Sequence, residues 1–136
     1  MESHDKSKYN RNLLTGTYLV KLDNKKRINI PKQISKSLKI LNNNEKKLFF
    51  KKEKGMIRGY TMHAINKLVG EIDELPINNE KTLQKMESLG SSLHEITITG
   101  DDRISIPDEM LKTLKIKMNS EVLVKGSIFF ITISKK

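Results

Sequence analysis

The chain has 136 residues, with 26 lysines and arginines against 16 aspartates and glutamates, and a formal net charge of +10 at pH 7. This length predicts one compact domain, or two small intertwined halves, with enough chain for a core. No apolar run approaches the roughly 20 residues of a membrane-spanning helix, the polar start lacks a signal-peptide segment, and the lack of cysteine excludes disulfides and thiolate metal sites. We therefore expect a cytoplasmic protein.

The positive charge is concentrated in one part of the chain. Residues 17–61 carry thirteen basic and three acidic side chains, a net +10, whereas residues 1–16, 62–92 and 93–136 carry +1, −2 and +1. Such a cluster creates a local field that a polyanion feels over about 8 Å at physiological salt. Nucleic acid is therefore the leading candidate partner, although lysine-rich stretches are most often only solvated faces.

The first 16 residues are polar and show no periodicity, which predicts a flexible tail. From Thr17 onward apolar and polar residues alternate, as they do in a half-buried strand. A turn-prone Asp23 follows, and a second alternating run places isoleucines on one face and Arg27 and Asn29 on the other. The pattern predicts a hairpin of two strands whose basic residues stay out of the core.

A short helix is predicted after the hairpin. Pro31 fixes φ near the helical value and needs no amide partner at a first helical position, so the run KQISKSLKI predicts a helix that buries Ile34 and Leu38. Three consecutive asparagines, Asn42–Asn44, then predict a loop. Two short strands are expected at 47–52 and 56–60, separated by a turn at Gly55.

Between residues 62 and 92 the apolar period becomes that of a helix. The first predicted helix ends at Pro76, and the second is capped by Asn78 or Asn79. Their apolar stripes consist of Met62, Ile65, Leu68, Val69, Ile72 and Leu75 in the first, and of Leu83, Met86, Leu89 and Leu93 in the second. Such stripes predict core or subunit packing rather than a cofactor site.

Residues 93–136 repeat the pattern of the first half. The run HEITITGDDRISIP aligns with YLVKLDNKKRINIP, and one constant offset pairs Arg27 with Arg103 and Pro31 with Pro107. Each half thus predicts strand, turn, strand, short helix, strand, strand, which indicates one supersecondary unit used twice.

The second copy uses the same devices as the first. Two acids in the first turn after Pro107 suit the helix dipole, and Met110, Leu111 and Leu114 supply the buried side. The last two strands are predicted at Val122–Val124 and Ile128–Ile133, on either side of a turn that contains Gly126.

The run GTYLVKLDNKKRINIP resembles the opening repeat of the MraZ family of bacterial transcriptional regulators, whose halves are similar to the swapped-hairpin AbrB and SpoVT DNA-binding fold. The similarity continues through GYTMHAINKLVGEIDEL, at the place of the family's inter-repeat helix, and into the second repeat. The family pattern of aspartate, arginine and proline is matched by Asp23, Arg27 and Pro31. In the second repeat Thr99 replaces the aspartate and only Arg103 with the RISIP run fits.

The resemblance implies an α+β fold with duplicated swapped-hairpin AbrB-like β-barrel halves and two inter-repeat helices. The predicted organisation is a flexible tail at 1–16, a SpoVT-AbrB-like repeat at 17–61, a helical connector at 62–92 and a second such repeat at 93–136. It also implies a sequence-specific regulator in the nucleoid, assembled as a ring-like homo-oligomer and acting on double-stranded DNA at short tandem repeats upstream of cell-division and cell-wall genes. The family usually has a glycine before each arginine, where this chain has Lys26 and Asp102.

The first hairpin supplies the candidate DNA contacts. Lys25 and Lys26 are compact charges suited to phosphates, and the planar fork of Arg27 suits guanine O6 and N7. By alternation Lys21 and Asn29 share the polar face of Arg27.

Two further residues near the turns have different expected roles. We expect Asp23 to orient its turn or Arg27 rather than to meet the duplex. Arg103 is a weaker candidate, because Asp101 and Asp102 beside it oppose phosphate approach. The second hairpin is thus expected either to be structural or to face a neighbouring subunit.

Two other classes of function compete with DNA regulation. The first is an AbrB-fold protein-interaction module, antitoxin-like, with only non-specific DNA affinity. The second is an enzyme, for which the sequence offers no paired nucleophile and base, no phosphate-binding loop and no metal-ligand spacing. Carboxylates such as Glu71, Asp73 and Glu74 fit the solvent-exposed side of a helix rather than a catalytic site. We therefore expect no enzymatic activity, cofactor or metal. We also expect no membrane contact and no small-molecule substrate.

Overall fold

The computed structural model describes residues 12–136, which form an α+β structure with eight strands and four helices. The strands are β1 (Thr17–Lys21), β2 (Arg27–Asn29), β3 (Lys47–Glu53), β4 (Met56–Tyr60), β5 (Leu93–Thr97), β6 (Arg103–Ser105), β7 (Glu121–Gly126) and β8 (Phe130–Lys135). The helices are α1 (Lys32–Leu41), α2 (Met62–Asp73), α3 (Glu80–Ser92) and α4 (Asp108–Leu114). The predicted order of strand, strand, helix, strand, strand in each half is confirmed.

Six strands form one antiparallel sheet in the order β1-β7-β8-β4-β3-β5, and β2 and β6 form a separate two-stranded ribbon. Strands of the two halves are interleaved in the sheet, since β7 and β8 of the second half lie between β1 and β4 of the first. The sheet is open, with β1 and β5 at its edges, so the expected closed barrel is not seen within residues 12–136. No helix in this part of the chain is long and apolar enough to cross a membrane.

The predicted hairpin between the first two strands is wrong. The amide of Asp23 donates to the carbonyl of Arg27 over 2.9 Å and closes a tight turn, but β1 then pairs with β7 and β2 with β6. The physical reason is burial: Ile28 of β2 lies opposite Ile104 of β6, and both side chains are almost completely removed from solvent.

One buried core contains residues from both halves. Ile34 and Leu38 of α1 enter it as predicted, and so do Met110 and Leu114 of α4. Each of these helices begins one residue later than predicted, because the preceding proline is the N-cap rather than the first helical residue. The carbonyl of Pro31 accepts the first amides of α1.

The segment at 12–16 is not the tail that its composition predicts. Leu14 is fully buried and exchanges two backbone hydrogen bonds of 2.9 Å with Ile128. Gly126 is the last residue of β7 and pairs with Ile131 of β8, so the last turn lies at residues 127–129 and the predicted turn position is wrong. The rest of the predicted tail, residues 1–11, lies outside the described residues.

The apolar stripes of α2 and α3 do not enter the core. Val69, Leu83 and Met86 are each at least 40% exposed, and the core of residues 12–136 contains no side chain from either stripe. The prediction that the stripes pack in the core is therefore wrong. The prediction that they pack against another subunit stays a prediction. Asn79 caps α3 by accepting the Lys81 amide over 2.8 Å, and Leu93 belongs to β5 instead of the helix.

Replacing Gly126 with Ala tests the packing of residues 14–16. A Cβ atom there would lie 2.3 Å from the backbone nitrogen of Thr15 and 2.4 Å from the carbonyl carbon of Leu14, so backbone atoms must shift. We expect the free energy of unfolding in urea to fall by about 1–3 kcal/mol.

Gly70→Ala is the matched control, because a Cβ atom at that exposed position of α2 meets nothing within 4 Å. The control is expected to gain about 0.5–1 kcal/mol from better helix propensity. Equal stability of Gly126→Ala and the unsubstituted protein would contradict the packing described for residues 14–16.

Candidate nucleic-acid interface

The ribbon of β2 and β6 carries one arginine from each half. Its register pairs Arg27 with Ser105, Ile28 with Ile104, and Asn29 with Arg103. Side chains alternate between the two faces of a strand. Because the two isoleucines are buried on one face, the other four side chains lie on the opposite face. We call this outward set, Arg27, Asn29, Arg103 and Ser105, the arginine ribbon.

Two reciprocal hydrogen bonds hold the ends of the ribbon. The amide of Ile30 donates to the carbonyl of Asp102, and the amide of Ile106 donates to the carbonyl of Lys26, each over 2.8 Å. The two donors occupy equivalent positions of the two repeats, and so do the two acceptors, so the ribbon has a local two-fold relation between the halves. Each arginine is therefore held in a ribbon to which both halves contribute one strand.

Asp23 organises the first turn and also contacts its arginine. Its Oδ1 accepts the amides of Lys25 over 2.8 Å and Arg27 over 2.9 Å, and its Oδ2 accepts Arg27 Nε over 3.0 Å. The Arg27 amide is the main reason that the pKa of this carboxyl lies below its ordinary value, with further help from the Lys25 amide and the Arg27 guanidinium. One carboxylate thus fixes both the turn and the arginine, through interactions that favour its charged form.

In the second turn, Thr99 holds the backbone amide and Asp101 contacts the arginine, so the two roles of Asp23 are divided between two residues. The Thr99 hydroxyl accepts the Arg103 amide over 3.3 Å and donates to Asp101, whose Oδ2 lies 3.2 Å from Arg103 Nε. The Thr99 hydroxyl is the main cause of a lowered pKa for Asp101, and Arg103 and Arg27 also favour its charge. Arg103 Nε donates in addition to Asn29 Oδ1 over 3.0 Å, which connects the two strands of the ribbon.

From its position in the sequence, Asp102 was expected to lie beside Arg103 on the ribbon. Its side chain does not face the ribbon. Its carboxylate accepts the hydroxyl of Ser35 on α1 over 2.9 Å. Its φ of 58° lies in the left-handed region, which costs a residue other than glycine about 1–2 kcal/mol. Of the two acids expected to oppose phosphate approach, only Asp101 contacts Arg103.

The candidate lysines occupy three different environments. Lys21 lines a shallow hollow of about 260 Å³ together with Asp23, Arg27, Ile28, Asn29 and Arg103. Lys25 is exposed at the tip of the first turn. Lys26 has a φ of 64°, and its ammonium pairs with Asp108 on α4, away from the hollow. The structure therefore brings Lys21, Arg27, Asn29 and Arg103 together and separates Lys26 from them.

The sequence analysis did not include Ser105 among the candidate contacts and did not anticipate that Asp101 would hold Arg103. Ser105 lies opposite Arg27, and the alignment of the two repeats, which matches it with Asn29, was a sufficient signal to find it. Asp101 has no such signal, because its counterpart in the first turn is Lys25. Within the described residues no group of three or more histidine, aspartate or glutamate side chains is placed to hold a metal ion.

No family model matches the chain, and no curated protein matches it either.

Replacing Asp23 with Asn tests the dual role of this carboxylate. The amide oxygen of Asn still accepts the turn amides, but the negative charge beside Arg27 is lost. Because the folded-state pKa of Asp23 is lower than its ordinary 3.8, its charge stabilises the folded protein above that pH and ceases to do so as the pH falls through the folded-state pKa.

We therefore expect the unsubstituted protein to exceed Asp23→Asn in free energy of unfolding at pH 7, and the difference to vanish in acid. Urea unfolding over a pH series measures this difference, and carboxyl NMR gives the folded-state pKa directly. A difference that stays constant from neutral pH into strong acid would contradict the ionic role of Asp23.

Proposed function

We propose that this protein is a sequence-specific DNA-binding transcriptional regulator that reads double-stranded DNA with the arginine ribbon. The observation that carries the proposal is the placement of Arg27 and Arg103 on the outward face of one two-stranded antiparallel ribbon. The major groove of B-DNA is wide enough to admit such a ribbon. Arginine binds guanine O6 and N7 as a bidentate pair, which is the commonest specific contact in that groove.

Each polar residue near the ribbon has a proposed task. Arg27 and Arg103 contact guanines, and Asn29 has the amide that suits adenine N6 and N7. Lys21 beside the hollow and Lys25 at the turn tip contact phosphates, which position the protein and make its binding sensitive to salt. Lys26 contributes less, because its charge is already paired with Asp108.

The two acids near the arginines favour base reading over simple phosphate attraction. Asp23 and Asp101 each contact the Nε atom of an arginine, at one side of the guanidinium. In the proposed complex the terminal nitrogens face the guanine. Holding the arginines before binding reduces the conformational entropy lost in the complex, while the negative charges weaken non-specific binding to phosphates.

The family proposal follows from the resemblance of the sequence to MraZ proteins. The exchange of β2 and β6 between halves, with its reciprocal hydrogen bonds, supports two swapped-hairpin AbrB-like units within one chain. As in that family, we propose a ring-like homo-oligomer in the nucleoid that acts at promoters of cell-division and cell-wall genes. The apolar stripes of α2 and α3 lie outside the core, with Val69, Leu83 and Met86 exposed, and they support self-association.

An oligomer would bind tandem operator repeats more tightly than one subunit binds a single repeat. Each chain presents one arginine ribbon, a small contact area for a DNA complex. Linked ribbons that engage successive repeats gain affinity through effective concentration without any new contact. Selection from a random DNA pool at moderate salt should therefore enrich short tandem repeats, whereas equal binding of all sequences would favour the protein-interaction module.

Replacing Arg27 with Ala tests the base contact. Loss of a bidentate guanine pair is expected to weaken binding to the selected duplex by about 1–3 kcal/mol, or roughly 5- to 150-fold. Fluorescence anisotropy at fixed salt measures the affinity. The exposed Lys135 at the end of β8 is the control, because Lys135→Glu is expected to change affinity little. Unchanged affinity of Arg27→Ala would remove that residue from the mechanism.

Replacing Arg103 with Ala tests whether the ribbon acts as a unit. Since Arg103 shares one face with Arg27 and also holds Asn29, we expect a loss of specific affinity similar to that of Arg27→Ala. The same anisotropy titration compares the two variants on the selected and a scrambled duplex. Full specific binding by Arg103→Ala would instead support a purely structural role for the second half.

A further inference from the structure

We propose a second site in this protein, a surface that binds single-stranded nucleic acid by stacking its bases on aromatic rings. The site lies on the face of the six-stranded sheet that points away from the core. We call it the aromatic face and define it by Phe49, Lys51, Arg58, Tyr60, Lys125 and Phe130. It is separate from the arginine ribbon, and its function does not depend on the proposed reading of duplex DNA.

Alternation along the strands directs these side chains away from the core. In β3, Phe49 stands between two fully buried residues, and in β8 Phe130 precedes the buried Ile131. The ribbon residues Ile28 and Ile104 belong to the same core as the buried residues of these strands. The arginine ribbon and the aromatic face are therefore two different outward surfaces around one core.

Three aromatic rings form one row across three neighbouring strands. Phe49 of β3 lies opposite Tyr60 of β4, and Tyr60 lies opposite Phe130 of β8. The ring centroids of Tyr60 and Phe130 are 5.2 Å apart. Tyr60 is only 9% exposed, whereas Phe49 and Phe130 on either side of it are half-buried and keep accessible ring area. Rings displayed on a sheet in this way are the surfaces on which proteins stack single-stranded bases.

A row of cations runs beside the row of rings on the same face. Lys51 of β3 lies opposite Arg58 of β4, and Thr132 of β8 stands between Arg58 and Lys125 of β7. The guanidinium of Arg58 lies 5.8 Å from the centroid of the Phe130 ring. Cations next to stacking rings suit the phosphates that connect the bases of a single strand.

Two carboxylates offset part of this charge. Glu53 lies 3.2 Å from the ammonium of Lys51 and 3.8 Å from the guanidinium of Arg58. Glu95 lies 3.2 Å from the ammonium of Lys47, which also belongs to β3. With the exposed lysine of β7, this part of the sheet carries four cations and two acids. The excess of positive charge favours an anionic partner, and the rings favour one that has flat bases.

A single strand fits the aromatic face better than a duplex does. The bases of a duplex are stacked on one another and present only their edges in the grooves. A single strand can spread its bases onto aromatic side chains. The rings accept the bases of RNA and of DNA, so the experiment includes both kinds of strand.

Fluorescence anisotropy with labelled single strands tests the proposal on the full chain. We expect a short oligouridine or a short oligothymidine to bind with an anisotropy change that saturates. Saturable binding of either strand supports the site, and the tighter of the two identifies RNA or single-stranded DNA as the ligand. Absence of saturable binding to both strands would overturn the proposal.

Arg27→Ala distinguishes this site from the arginine ribbon. The variant is expected to bind the selected duplex more weakly and to bind the single strands as the unsubstituted protein does. Equal losses for duplex and single strand would place the single strand on the ribbon and overturn the proposal. Because the single-strand titration contains no duplex, its result does not depend on whether the protein regulates transcription.

Replacing the two accessible phenylalanines with leucine tests stacking without a change of charge. Leucine stays apolar but has no π-face, so the double variant Phe49→Leu and Phe130→Leu is expected to weaken single-strand binding by about tenfold or more. Phe129→Leu is the matched control, because this half-buried ring lies outside the row and contacts His63, with 4.5 Å between the ring centroids. Equal affinity of the double variant and the control would overturn the proposal.

Glu95→Gln tests the charges and changes only an exposed side chain, so it decides the proposal even if the leucine variants fail to fold. It removes the carboxylate that pairs with Lys47, and single-strand binding is expected to become roughly threefold tighter. Glu87→Gln on α3 is the matched control, since it makes the same change of charge at an exposed position. An equal gain in both variants would reflect net charge alone and would overturn the assignment of the aromatic face.

Discussion

The reciprocal pairing of β2 with β6 is the constraint on which the rest of the structure depends. It buries Ile28 against Ile104, and the amides of Ile30 and Ile106 close its two ends. Each strand of the ribbon comes from a different half, and the strands of the two halves also interleave in the main sheet. A short ribbon of this kind is stable only with such support, since an isolated two-stranded pair is marginal in water.

The pairing of β2 with β6 also determines which charged side chains lie together in the proposed interface. Most of the positive charge belongs to residues 17–61, yet the ribbon draws one arginine from each half. The acid that contacts each arginine comes from a different position of its turn, Asp23 in the first and Asp101 in the second. The two turns thus hold their guanidinium groups in equivalent ways although their sequences differ. The backbone geometry is the same in both turns, and only the position of the acid that contacts the arginine differs.

The local patterns of the sequence predicted the elements well. Period-two alternation located β1 and β2, Pro31 and Pro107 located the starts of α1 and α4, and helical spacing located α2 and α3. The constant offset between the repeats identified the duplicated order of elements. These features depend on neighbours along the chain or on direct comparison of two stretches, which is why a single sequence carries them. The side chains predicted to be buried in α1 and α4 lie in the core.

The partners of the strands could not be predicted in the same way. Alternation shows which face of β2 is buried, but it does not say that the opposing strand belongs to the other repeat rather than lying across the turn. The direction of the Asp102 side chain depends on Ser35 of another element, and the burial of Leu14 depends on Ile128. The stripes of α2 and α3 illustrate the limit most clearly, since helical periodicity identifies an apolar face without identifying what covers it.

Backbone hydrogen exchange, compared with and without a duplex enriched from a random pool, tests the central claim most directly. If the ribbon made by both halves binds the DNA, slowed exchange will be concentrated in β2, β6 and the turns at 23–26 and 99–102. Slowed exchange in the first half alone, or only in α2 and α3, would contradict the claim that the two halves form one DNA-reading ribbon.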